Sequence, residues 1–144
     1  MVAHFLERPF PVDFIFKTAQ RRVHGLAVLL EVEEVFGGWS RILELAERTT
    51  QAVEANLATP CVRNARSLLV TALAAAHAGD DETARRLERR ADEVATEGYD
   101  FALAAPRIWL ALSRGRLGEA DGLEPVDLAR GPIWYALPAA AARL

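Results

Sequence analysis

Residues 60–98 hold the feature that most limits how this chain can fold, two predicted helices joined by one tight break. The first, TPCVRNARSLLVTALAAAHA, is apolar over more than half of its circumference, which predicts burial between neighbouring helices. The second, ETARRLERRADEVATEG, carries its apolar residues in one stripe, as is typical of a surface helix. Gly79 ends the first helix, and Asp80 is placed to cap the second. We therefore predict an antiparallel helical hairpin.

Similar glycine breaks recur along the chain at a regular interval. Gly38, Gly79 and Gly118 are separated by 41 and 39 residues. When the segments that follow the first two breaks are superposed, Val53 falls on Val94 and a Glu-Arg pair coincides in both. A regular period with two helices per unit predicts stacked hairpins, because each hairpin can bury its second face only against a neighbour.

This periodicity predicts an all-α chain of about six or seven helices, arranged as antiparallel hairpins. We assign residues 1–16 to an aromatic N-terminal arm, residues 17–124 to the helical repeat domain and residues 125–144 to a partial repeat or tail. Prolines disfavour helix up to Pro11, and helical structure is expected to begin near Asp13. The predicted helices cover residues 17–36, 40–57, 60–78, 82–98, 99–114 and 119–123.

Two of these helices carry unusual residues. The helix at 17–36 has a wide apolar band, in which one line of residues is flanked by a second line. The first line is Val23, Leu26, Ala27 and Leu30, and the second is Val28, Val32 and Val35. Gly25 either weakens this helix by about 1 kcal/mol or allows a close helix approach. Pro106 is expected either to kink the helix at 99–114 or to mark its true beginning.

The hairpin segment resembles a known family. ALAAAHAGDDETARRLERRADE is similar to tetratricopeptide (TPR) repeats, with a first helix rich in small residues, a Gly-Asp break and a second helix with Ala and Leu at fixed offsets. The longer CVRNARSLLVTALAAAHAGDDETARRLERRADE resembles the C-terminal repeat arms of large bacterial ATPase regulators, of the LuxR and maltose-regulator type or linked to cyclases. The resemblance covers roughly residues 37–120. It implies a right-handed TPR-like α-solenoid that acts as a scaffold or sensor arm.

Composition narrows the partners that we expect. The net charge is −3, whereas a dedicated nucleic-acid surface is usually strongly basic, so we predict no nucleic-acid partner. No apolar run reaches the roughly 18 residues of a membrane span. The single cysteine, Cys61, suits a reducing compartment, and the N-terminus lacks the features of a signal peptide. We therefore predict a cytoplasmic protein.

The common catalytic motifs do not occur in this sequence. It has no G-x-x-x-x-G-K-[ST] phosphate loop, no G-x-S-x-G nucleophile elbow and no H-E-x-x-H zinc motif. We therefore expect a non-enzymatic protein that needs no cofactor and no metal.

Three isolated polar residues have both a structural and a chemical interpretation. We expect His77 to be a favourable charge at a helix C-terminus or a packed ring. His24 has no identifiable partner that would make it a general base. Cys61 lies at a helix N-terminus near Arg63, a position that favours the thiolate, but an isolated cysteine is more often a small buried hydrophobe.

Four arginines are candidates for a binding site. Arg22, Arg63, Arg66 and Arg107 fall near the starts of predicted first helices, which normally line the concave face of such stacks. There they would bind a carboxylate, a phosphate or an acidic peptide. The alternative is that they pair within the chain, with Glu31, Glu33, Glu34 or Asp100.

Aromatic residues mark the candidate partner surfaces. Phe10, Phe14, Trp109, Trp134 and Tyr135 are candidates for a partner or dimer interface, because large aromatic side chains dominate protein interfaces. An apolar half-hairpin at the end of a stack also needs a cover. We therefore predict a homodimer.

Two functions remain open from the sequence. The first is a protein–protein interaction module that binds a protein or peptide, such as a detached regulatory arm of a signalling or transcription-regulating ATPase. The alternative is a small-molecule sensor in which the concave-face arginines hold an anionic ligand.

Overall fold

Residues 12–122 are described by a computed structural model, with side-chain surroundings for residues 18–120. Within residues 12–122 the chain forms seven α-helices and no strand, which confirms the all-α prediction for this range. The helices are α1 Val12–Phe36, α2 Trp39–Glu44, α3 Ala46–Ala55, α4 Val62–His77, α5 Asp81–Val94, α6 Asp100–Ser113 and α7 Leu117–Gly122.

Helix α4 lies at the centre of the packing, as its apolar circumference predicts. It contacts α1, α2, α3, α5 and α6, and every side chain from residue 64 to residue 75 is buried. The other contacts join α1 with α2 and α3, α2 with α3, and α6 with α7. Helices α5 and α6 have no backbone contact with each other.

The main core forms between α4 and its neighbours. Leu68, Leu69 and Leu73 of α4 meet Val53 of α3 and Leu103 of α6, and each of the five is at most 1% exposed. Burying one such side chain stabilises the fold by about 1.5–3 kcal/mol. A separate cluster, formed by Leu30, Ile42, Leu45, Val70 and Ala74, joins α1 and α2 to the other side of α4.

The break between α4 and α5 forms as predicted. Gly79 has φ +81°, a left-handed conformation that glycine adopts without steric cost. Asp80 N donates to Ala75 O at 2.9 Å and closes the end of α4. The Asp80 carboxylate then accepts a hydrogen bond of 3.0 Å from Thr83 N, which caps α5 and lowers the pKa of Asp80.

The helix predicted for residues 40–57 is interrupted at Leu45. Leu45 N donates to Ile42 O at 3.1 Å, three residues back, and the regular α pattern resumes only in α3. Both Leu45 and Ile42 are buried, so burial of two large side chains offsets the free-energy cost of the tighter turn. No glycine or proline marks this position, so sequence reasoning missed the break.

Three further expectations are corrected by the structure. Helix α4 begins at Val62 rather than Pro60, because Cys61 is extended, and α5 ends at Val94 rather than at residue 98. Helix α6 begins at Asp100 and continues through Pro106, so the alternative in which it begins at the proline is wrong.

Leu69→Ala tests the central position of α4. We expect a loss of about 3 kcal/mol in the free energy of unfolding, because a cavity would remain among side chains that cannot collapse into it. Urea unfolding followed by circular dichroism measures this change. The control is Leu117→Ala, because Leu117 is 65% exposed, and we expect a change of less than about 0.5 kcal/mol there. Similar losses for the two variants would contradict the packing.

Candidate functional site

Two of the four candidate arginines pair with carboxylates of α1. Arg66 is only 5% exposed, and its Nη2 donates to Glu34 Oε2 at 2.7 Å. Arg63 Nη1 lies 3.8 Å from Glu31 Oε1, and Arg66 Nη1 lies 3.9 Å from the same oxygen. The intramolecular alternative is therefore the one observed for Arg63 and Arg66.

This cluster neutralises an unfavourable end of α1. Glu31 and Glu34 lie near the C-terminus of the helix, where its dipole disfavours negative charge, and the last turn of α1 holds no basic residue. Arg63 and Arg66 reach across from α4 and supply the missing positive charge. Two carboxylates face two guanidinium groups, so the cluster has no excess charge with which to hold an anion.

The remaining two candidate arginines lie in other surroundings. Arg107 Nη2 donates to Asp92 Oδ1 of α5 at 2.8 Å, and its Nη1 lies 3.8 Å from Asp100 Oδ1. Arg22 is exposed on α1 and has no ion-pair partner among the residues described. The four arginines therefore do not converge on one binding site.

A groove of about 770 Å³ separates α5 from the end of α6 and from α7. Arg114 lies in it, with its Nε 3.0 Å from Asp81 Oδ1 and its Nη1 2.6 Å from Glu88 Oε2. Burial opposes the charge of Arg114, but these hydrogen bonds outweigh it and raise its pKa. The hydrogen bond from Arg114 is also the largest cause of the lowered pKa of Asp81. Sequence reasoning missed Arg114, because it treated this position only as a helix end.

The charges of this groove are balanced. Four arginines and four carboxylates line it, so it offers no net charge to a ligand. Its ion pairs instead connect α5 with α6, two helices without backbone contact. Arg90 connects α5 with α3 in the same way, since its Nε and Nη2 each donate to a different carboxylate oxygen of Glu54 at 2.8 Å.

His24 and Cys61 come into contact where α1 meets the start of α4. His24 Nε2 lies 3.4 Å from Cys61 Sγ, and both side chains are partly exposed. They are 37 residues apart, so no motif spacing predicts their contact. A thiol and an imidazole at this distance resemble part of a nucleophilic site, but such a site also needs a group that orients the base. No such group contacts His24 within the described residues.

His77 is a packed ring, one of the two expected alternatives. It stacks on Trp39, with 4.5 Å between ring centroids and 17° between ring planes. Trp39 directly follows the break that ends α1, so the stack ties this break to the end of α4. In residues 12–122 no three His, Cys, Asp or Glu side chains lie together as a metal site.

The exposed side of α1 carries a row of apolar side chains. We call this row the α1 face, and it consists of Val28, Leu29, Val32, Val35 and Phe36, which are 50%, 36%, 48%, 77% and 82% exposed. The wide apolar band predicted for this helix is thus divided, with one line buried and the other left exposed. An exposed apolar row of this length is typical of an interaction surface.

The aromatic candidates are only partly covered by the structure. Trp109 of α6 is 40% exposed and therefore accessible to a partner. Phe14 lies in α1, but its side-chain surroundings are outside the described residues, as are Phe10, Trp134 and Tyr135.

No protein-family model, curated protein or solved structure matches this chain. None of the helices in residues 12–122 has both the length and the hydropathy that a membrane crossing requires. Within the described residues, the α1 face is an apolar surface that the internal ion pairs and the core leave uncovered.

Arg66→Met tests whether this arginine serves the fold. We expect a loss of about 3 kcal/mol in the free energy of unfolding, because Glu34 would keep a buried charge without its main partner. Adding Glu34→Gln to Arg66→Met removes that charge, and we expect most of the lost stability to return. Chemical unfolding of the three proteins measures both effects. If the double variant has the same low free energy of unfolding as Arg66→Met, the proposed pairing of Arg66 with Glu34 is contradicted.

The pH dependence of stability tests the groove ion pairs. Because the pKa of Asp81 is lower in the folded chain than in the unfolded chain, its stabilising effect is complete above about pH 4 and is lost as the pH falls through the folded value. We expect Asp81→Asn to melt below the wild type at pH 7, and the gap to narrow towards pH 3. Thermal melts at several pH values measure the gap, and a constant gap would contradict the pairing.

Proposed function

We propose that this chain is a non-enzymatic protein–protein interaction module that binds its partner through the α1 face. The observation that carries the proposal is the row of five exposed apolar side chains on one side of α1. Covering such a row stabilises a complex by removing apolar surface from water.

We further propose that the helices are TPR-like hairpins of a right-handed α-solenoid. The contacts among helices support this arrangement, because α1, α4 and α6 contact one another in sequence while α3, α5 and α7 each contact the helix that precedes them in a hairpin. Left-handed glycines at Gly37, Gly79 and Gly115 end α1, α4 and α6 in the same manner. In such a stack α1 is a first helix, and among the described first helices it contacts only α4.

The position of α1 explains why its apolar face matters. Helix α1 is the outermost of the described helices, and a helix that caps a stack normally presents polar residues to water. Helix α1 presents Val32, Val35 and Phe36 instead, which favours a binding surface over a solvated cap. The resemblance to repeat arms of bacterial ATPase regulators makes a regulatory partner in the cytoplasm the class that we favour.

The alternative, a sensor of an anionic ligand, has weaker support. Arg63, Arg66 and Arg107 already lie within 4 Å of carboxylates of the same chain. An anion would have to displace those carboxylates and leave them without a partner, two of them near the unfavourable end of α1.

Site-specific photo-crosslinking tests the proposed surface. Val32→p-benzoylphenylalanine places a photoreactive ring on the α1 face, and we expect irradiation in the cells that make the protein to give a crosslinked product of higher mass. The matched control is Gln51→p-benzoylphenylalanine on the exposed side of α3, where we expect no product. Absence of a product at Val32, or equal products at both positions, would overturn the proposal.

A further inference from the structure

We infer that the α1 face binds the α1 face of a second copy of this chain, with the two helices antiparallel. This inference rests on the proposed function and names its partner. Two charged residues beside the apolar row are placed so that a two-fold axis would pair each with its counterpart in a second copy.

The apolar row follows one line along α1. At 100° per residue, Val28, Val32 and Val35 lie within about 60° of one another, on the side opposite Leu26 and Leu30 of the core. Leu29 and Phe36 widen the row towards one flank. The row therefore presents a continuous surface that a second helix can contact along several turns.

Two unpaired charges stand on that same flank. Arg22 and Glu33 are separated by 11 residues, which is about three turns and brings them to nearly the same angle around the helix. Neither has an ion-pair partner within the part of the chain that the structure describes. They lie about 16 Å apart along the axis, at 1.5 Å per residue.

A two-fold axis perpendicular to α1 would satisfy both charges at once. If the axis passes between residues 27 and 28, it brings Arg22 of each copy level with Glu33 of the other, on the same flank. Two symmetric ion pairs then form along the same flank, at opposite ends of the apolar contact. A parallel arrangement in register would instead place like charges together, which is destabilising.

The surroundings of Glu33 explain why it would benefit from such a partner. Three glutamates lie close to the C-terminus of α1, where negative charge is disfavoured. Arg63 and Arg66 of α4 compensate Glu31 and Glu34. Glu33 has no positively charged partner within the described residues, and Arg22 of a second copy would supply one.

Gly25 allows the two helices to approach closely. A side chain there would meet nothing within 4 Å, so the helix packing in residues 12–122 makes no use of this glycine. In the antiparallel arrangement Gly25 of one copy and Val32 of the other lie on the same side of the two-fold axis, about two residues or 3 Å apart along the helix. The missing side chain gives room for that valine, which is the close approach that the sequence left open.

Charge reversal tests this arrangement, with mass measured by sedimentation equilibrium. We expect the wild type to be a dimer, and Arg22→Glu or Glu33→Arg alone to weaken dimerisation at least tenfold, because each creates two like-charge pairs. The double variant Arg22→Glu/Glu33→Arg should dimerise as the wild type does, since its pairs are reversed but intact. An equimolar mixture of the two single variants should form a heterodimer.

The controls separate this inference from the function on which it rests. Arg48→Glu, on the exposed side of α3, should leave dimerisation unchanged, and circular dichroism confirms that each variant is folded. A wild type that is monomeric at 100-micromolar concentration, or a dimer insensitive to both reversals, would overturn the inference.

If the crosslinked product of Val32 then contains a different protein, the proposed function stands without self-association. If the crosslink instead joins position 32 to another residue of the same chain, a terminal segment of that chain covers the α1 face, and both proposals fail.

Discussion

The burial of α4 from residue 64 to residue 75 is the constraint on which the rest of this structure depends. A helix without an exposed side must be enclosed, and α4 is enclosed by α1, α2, α3, α5 and α6. Its small residues let these helices come close, and two of its buried polar side chains, Thr71 and Asn64, are hydrogen-bonded. Thr71 donates to Ser67 O at 2.8 Å, and Asn64 accepts from Asn56 at 3.0 Å. The buried Arg66 is the costly exception, and Glu34 compensates it.

Several arginines of this chain tie one helix to another by ion pairs within the chain. Arg66 ties α4 to α1, Arg90 ties α5 to α3, and Arg114 ties α6 to α5. The planar guanidinium suits this role, because it can bond two carboxylate oxygens at once and connect helices whose backbones do not touch. With these charges paired within the chain, we propose the apolar face of α1, flanked by Arg22 and Glu33, as the surface for a partner.

The central hairpin could be predicted because its signals are local. Gly79 and Asp80 end one helix and begin the next through bonds that reach only a few residues along the chain. The interruption at Leu45 could not, since it depends on the burial of Leu45 and Ile42 against helices distant in sequence. The contact between His24 and Cys61 escaped prediction for the same reason.

By itself, the sequence determined the helical class, the break at Gly79 and the apolar lines, because helix periodicity and capping act over three or four residues. It also supplied the correct set of alternatives for Arg63 and Arg66 without deciding between them. Only the tertiary structure decided which carboxylates these arginines meet, since Arg66 and Glu34 are 32 residues apart. It also decided which half of the apolar band on α1 is buried, because one helix can place only one side against α4. The other half became the α1 face.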